Sequence, residues 1–255
     1  VVRPPTKLEL IKYEKTSSLC TGVSWREDGN ILCSTDKDGI EVRSGTDLKL
    51  IKKINITDSV RSAYTVGDQL ITKVYMYDDD TYSTYIGTES NPQHTLLHQY
   101  KGYHSHLSVS DSMIADIDRA SKQLMIYTIT GNHLYNIDIS DMSLPDGVHI
   151  LPAGDSVLVS NNRIGEVRKY KLQAGTHHQP VWICTGLCWP QGITSDQSGL
   201  IYVVSFVAKK IYQISPQGWF FTVCCSILWN NIGITLCDSG LTILLLALKI
   251  TMNTL

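Results

Sequence analysis

Short runs in which apolar and polar residues alternate, separated by clusters of Gly, Pro, Asn and Asp, follow one another along nearly the whole chain. Alternation with period two puts successive side chains on opposite faces of a strand, so this patterning predicts β-structure, and no stretch sustains a helical period. In the clearest copy the inner strand covers residues 192–196, a Gln197-Ser198-Gly199 turn follows, and further strands cover 200–205, 211–215 and 219–224. An earlier copy repeats the arrangement over 22–26, 30–34, 40–43 and 48–54.

Each copy opens on a small residue followed by a β-branched one: Gly22-Val23, Gly147-Val148, Gly192-Ile193 and Gly233-Ile234. Degenerate copies open near residues 60–67 and 107–111, and the mean interval is about 42 residues, the period of a four-stranded propeller blade. Six such intervals account for nearly all of the 255 residues. The last copy supplies strands over 233–238, 241–247 and 249–253 and lacks an outer one, while residues 8–13 form an orphan strand. The expected fold is all-β: a single six-bladed β-propeller over residues 1–255 with four-stranded antiparallel blades. Residues 1–15 would close the last blade, removing two open edges, and 16–255 would form blades one to six.

A net charge of -2 offers no global attraction to nucleic acid or to acidic membranes. Seven cysteines, an odd set placed mostly in apolar runs, suggest buried thiols in a reducing, cytoplasmic setting. The chain opens on Val and carries no leader pattern, which suggests a domain cut from something longer. Between Trp219 and Leu255 the only formal charges are Asp238 and Lys249, but Asn230-Asn231 and the 237–240 turn interrupt the apolar run. That run is read as final-blade strands, with no membrane partner.

The segment from Pro190 to Val203, Pro-Gln-Gly-Ile-Thr-Ser-Asp-Gln-Ser-Gly-Leu-Ile-Tyr-Val, with Ile211-Tyr-Gln-Ile and Gly218 after it, resembles an NHL repeat. It departs from that pattern at Val204-Ser205 and Ala208-Lys209-Lys210, where the family usually has Asp and then Asn-x-Arg. NHL propellers form the C-terminal substrate-binding domains of many tripartite-motif (RING, B-box, coiled-coil) ubiquitin ligases. The resemblance therefore implies a non-enzymatic platform that binds protein, or alternatively RNA.

The loops from second to third strands, and those leading into each new blade, crowd one face of a propeller. On that face blades one and two present acid through Asp36, Asp38 and Asp78-Asp79-Asp80, and later blades present Arg119, Lys122, Arg163, Lys209 and Lys210. Tyr103, His104 and Trp189 sit beside them as candidate contact points for a protein partner. No catalytic residue, metal site or cofactor is expected, and no small-molecule substrate. His104 and His106 lack a third ligand, and Asp28, Asp196 and Asp238 precede Gly29, Gly199 and Gly240 at turn spacing. A calcium-dependent propeller hydrolase or lactonase is a second alternative, disfavoured by inner strands that offer Ser24, Ser62, Tyr64, Ser108, Ser110, His149, Thr194 and Thr235 in place of carboxylates. Phosphate-binding and nucleophile-elbow motifs do not occur.

Overall fold

The computed structural model describes residues 7–102, 105–174, 179–196, 198–205, 207–208, 210–226 and 244–251, with side chains described between residues 14 and 219. Strand β1 (Lys7–Lys15) is followed by five consecutive four-stranded antiparallel sheets. Blade one is β2 (Cys20–Trp25), β3 (Ile31–Thr35), β4 (Ile40–Arg43) and β5 (Leu50–Ile54). Blade two is β6 (Ser59–Val66), β7 (Gln69–Met76), β8 (Thr81–Gly87) and β9 (Thr95–Lys101). Blade three is β10 (Leu107–Val109), β11 (Met113–Asp118), β12 (Gln123–Thr128) and β13 (His133–Asp138). Blade four is β14 (Pro145–Ile150), β15 (Ser156–Asn161), β16 (Glu166–Lys171) and β17 (Trp182–Cys184). Blade five is β18 (Pro190–Ser195), β19 (Ile201–Ser205), β20 (Lys210–Ile214) and β21 (Phe220–Ser226). The last strand, β22 (Leu244–Thr251), pairs antiparallel with β1.

The expectation of six blades is corrected: the described residues form five. The sixth rests on the Gly233-Ile234 landmark, the repeat interval and short strands over 233–253, and the described part of that segment does not follow this pattern. A turn was expected near Leu248, yet Leu244–Thr251 contains no Gly, Pro, Asn or Asp and runs straight through as one strand. Its partner is the N-terminal strand, and among the described residues these two form a two-stranded ribbon. The final-copy landmark Gly233-Ile234 lies outside the described residues. No helix among the described residues is long and apolar enough to cross a membrane.

The second strands are largely enclosed. Ile31–Thr35, Ser156–Asn161 and Ile201–Ser205 are buried at every position, as a strand covered on both faces by neighbouring blades must be. Apolar clusters accordingly span blade boundaries. Leu32, Ile40 and Val42 of blade one pack with Val60, Leu70 and Val74 of blade two. Ile117, Leu124 and Ile126 of blade three pack with Val148, Val157 and Val159 of blade four.

The opening glycines Gly22 and Gly147 have a specific steric cause. Inner strands β2, β6, β14 and β18 each carry a bulge near their start, at Cys20/Gly22, Val60/Ser62, Pro145/Val148 and Pro190/Ile193. At these points consecutive blades touch backbone to backbone. A Cβ on Gly22 would lie 2.6 Å from the Arg61 carbonyl oxygen, and one on Gly147 would lie 1.8 Å from that of Gln191. The repeat landmark thus marks where one bulged inner strand presses on the next.

Candidate functional site

Two regions of the molecule gather chemistry: the loop face and the central channel. On the loop face the backbone draws three sequence-predicted residues together around the segment leading into blade five. Leu187 N–H donates to Gly165 O at 3.0 Å, holding this segment against the Asn161–Gly165 loop that carries exposed Arg163. Ser205 Oγ donates to the Cys188 carbonyl and accepts from Ala208 N–H, tying the same segment to the loop before Lys210. Trp189, the next residue along this segment, is 46% exposed with a φ of 47°. A bulky residue in the left-handed region is a real outlier, costing about 1–2 kcal/mol.

Arg119 and Lys122 belong instead to blade three. Lys122 is half-buried, has a φ of 55° and donates from Nζ to Ser140 O at 3.3 Å, so part of its donor capacity is spent within its own blade. Arg119 is also half-buried and engaged. The expected continuous basic rim therefore divides into a blade-three group and a Trp189 group. Tyr103, His104 and Lys209 lie outside the described residues.

The acidic sector is more tightly built than its sequence implies. Asp36 accepts hydrogen bonds from Ser59 Oγ at 2.6 Å and from Tyr77 OH at 2.8 Å, with Arg61 at 3.9 Å. Tyr75, Tyr82 and Tyr100 stand opposite one another across β7, β8 and β9, and their rings form a ladder with centroids 4.8 and 5.6 Å apart. Exposed Tyr77 meets Tyr75 edge-on at 4.9 Å. At the buried end of the ladder Lys73 lies 5.0 Å from the Tyr100 centroid and donates to Asp116 Oδ1 at 2.5 Å, Ser105 Oγ at 2.8 Å and Ile117 O at 3.2 Å. Burial opposes the Lys73 charge, but Asp116 and Tyr100 beside it outweigh that penalty and hold its pKa above the ordinary lysine value. Asp118, two residues on from Asp116, is lowered to about 2: burial acts against its charge, and His98 and Ser121 prevail.

The central channel encloses about 540 Å³ and is lined by the inner strands of all five blades. Most of the polar inner-strand set read from the sequence points here, namely Ser24, Ser62, Tyr64, Ser108, His149 and Thr194, whereas Ser110 does not and Thr235 is outside the described residues. His106, just before β10, and Ser195, at the end of β18, also line it, although the alternation count did not include them. These side chains bridge successive blades. Ser24 Oγ donates to Ala63 O at 2.5 Å, Ser62 Oγ stands 3.5 Å from His106 Nδ1, Ile150 N–H donates to Ser108 Oγ at 3.0 Å, and His149 Nε2 lies 2.9 Å from Ser195 Oγ. Asp196 is spent on its turn, accepting from Ser198 and Leu200 N–H and from Tyr202 OH. Asp28 likewise accepts from Asn30 N–H, with Gly29 at a φ of 78°. Among the described residues no group of three or more His, Cys, Asp and Glu gathers to hold a metal.

Burial in the channel lowers the His149 pKa from 6.5 to about 4. The folded state therefore resists the proton that the unfolded chain accepts. Stability is intact above pH 6.5 and falls as pH drops from 6.5 towards 4, by about 2–3 kcal/mol. Urea unfolding of the wild type and of His149→Gln at neutral and acid pH should show that extra acid loss in the wild type only.

No protein-family model matches the chain, and no curated protein is similar to it in sequence. Among solved structures, a chain of the "Crystal structure of Nidogen/Laminin Complex" superposes with a TM-score of 0.66 at 10% identity, covering 81% of this chain and 80% of that one. The chain is a β-propeller. Because 1179 solved chains share this likeness, the architecture identifies a fold and no particular activity. Function in this propeller has to be argued from its own loop face and channel.

Proposed function

We propose that this propeller is a non-enzymatic recognition module that docks a protein partner on its loop face, centred on Trp189, Arg163 and Lys210. The observation that carries the reading is Trp189. An exposed indole held in a strained left-handed backbone by Pro190 and two neighbouring loops is pre-organised, so little conformational freedom is lost when a partner covers it. Trp and Arg are also the side chains most enriched at the energetic centres of interfaces. The flanking basic residues favour an acidic segment with an apolar tip, and the acidic sector at Asp36 and Asp78–Asp80 orients it. That a chain of the same fold occurs in a structure titled as a nidogen/laminin complex supports protein binding as a use of this architecture. The NHL-like copy from Pro190 supports a finer form of the reading, in which the module selects substrates for a ubiquitin-ligase-type parent.

Affinity capture of partners, with and without ribonuclease, tests this. The recovered partner is expected to resist ribonuclease. Trp189→Ala should weaken its binding by about 2 kcal/mol, and Arg163→Glu with Lys210→Glu by more than Arg119→Glu with Lys122→Glu. Recovery that disappears on ribonuclease treatment would replace the protein reading with RNA binding.

A further inference from the structure

We infer that the turn at Tyr77 in blade two is a docking point for an arginine side chain on a basic segment of a partner protein. The inference goes beyond the Trp189 reading and stands without it. Two cations of the chain itself already sit on the blade-two tyrosine ladder, each beside a carboxylate. At the buried end, Lys73 Nζ lies 5.0 Å from the Tyr100 centroid and is bonded to Asp116. Further out, the Arg61 guanidinium carbon lies 5.4 Å from the Tyr75 centroid, and its Nη2 is 3.9 Å from Asp36 Oδ1. Tyr77 is the next ring outward, meeting Tyr75 at 4.9 Å and remaining 58% exposed. It shares the turn over residues 77–80 with Asp78, Asp79 and Asp80, all of them exposed. The outer ring thus presents to solvent the same pairing of aromatic and carboxylate that holds Lys73 and Arg61 within the chain.

The negative face of an aromatic ring attracts a cation, and carboxylates beside it add a charge-assisted hydrogen bond. Arginine suits both at once, because its planar guanidinium stacks on a ring while its edge reaches a carboxylate. The rings are also held in place before any partner arrives. Tyr77 OH donates to Asp36 Oδ1 at 2.8 Å and Tyr75 OH donates to Asp80 Oδ1 at 2.8 Å, so docking on Tyr77 orders little that is not ordered already. The three carboxylates of the turn select against an acidic segment at this point, which separates it from the basic surroundings of Trp189.

The test is titration of the intact, isotope-labelled chain with the peptide acetyl-Gly-Arg-Gly-Arg-Gly-amide and with its citrulline counterpart, which keeps the planar shape and lacks the charge, followed by NMR at the backbone amides of residues 77–80. The arginine peptide is expected to shift these signals saturably in the millimolar range and to bind about fivefold or more tightly than the citrulline peptide. Tyr77→Leu should weaken that binding about three- to fivefold, whereas Tyr77→Phe, which keeps the ring, should stay within about twofold of the wild type. Asp78→Asn with Asp79→Asn should weaken it about threefold. The same change of charge at Asp111 and Asp155, exposed in turns between first and second strands, should leave it unaltered, as should Trp189→Ala. Absence of a saturable shift, equal binding of the citrulline peptide, a Phe variant as weak as the Leu variant, or a loss in the Asp111/Asp155 or Trp189 variants matching that at the turn would overturn the assignment.

Discussion

Replacing Lys73 with Met is expected to destabilise the propeller by about 3–5 kcal/mol, the largest effect of any single substitution considered. Lys73 and Asp116 are completely buried, on the second strands of blades two and three. Removing the ammonium leaves a carboxylate inside the interface between blades two and three with only Thr84 Oγ1, at 2.6 Å, still donating to it. It also strips a donor from Ser105, which receives the Tyr100 hydroxyl hydrogen bond at 2.5 Å and passes its own to Ile117 O at 2.8 Å. Against a typical stability of about 5–15 kcal/mol this is a large fraction of the total. Urea unfolding measures it. The double variant Lys73→Met with Asp116→Leu should recover part of the loss, because exchanging both members of a buried pair for apolar side chains removes the stranded charge. A single variant as stable as the wild type would mean that the cluster is not closed to water.

Gly147→Ala should cost about 3 kcal/mol or more, although alanine is the smallest possible addition. The new methyl would fall 1.8 Å from the Gln191 carbonyl oxygen and 3.0 Å from Ser160 Oγ, which itself bridges Gly147 N–H at 2.8 Å and Gln191 O at 3.0 Å. Blades four and five can only separate to make room, and the channel wall moves with them. The obstructing atom is backbone, so adding Gln191→Ala should bring no rescue. A thermal melt of both variants decides the matter, since recovery in the double variant would place the clash in the Gln191 side chain instead.

Several features were legible from residue order because they depend on local chemistry. Strands of blade one predicted at 30–34 and 40–43 appear as Ile31–Thr35 and Ile40–Arg43, and the Asp-Gly turns close as expected on Asp28 and Asp196. Lys52 and Lys53 lie on outer strand β5, where Lys52 pairs with Glu89 of blade two and Lys53 donates to Ser17 Oγ at 3.0 Å. The alignment of Tyr75, Tyr82 and Tyr100 into a ladder follows from cross-strand register, which residue order does not give.

The pattern of apolar and polar positions by itself determined that the chain is all-β, that its strands come in fours, and that a glycine opens most copies. Each of these rests on interactions within a few residues or on a period repeated along the chain. Only the tertiary structure decided that five blades form among the described residues, that Lys73 finds Asp116 43 residues away, that Trp189 stands with Arg163 and Lys210 rather than with Arg119, and that His106 and Ser195 face the channel. These depend on contacts between blades, and the bulges in four inner strands shift local register in ways that residue order does not announce. A shift of one residue leaves the composition untouched while exchanging channel for core, which is why residue order predicts the sheets and their packing decides the site.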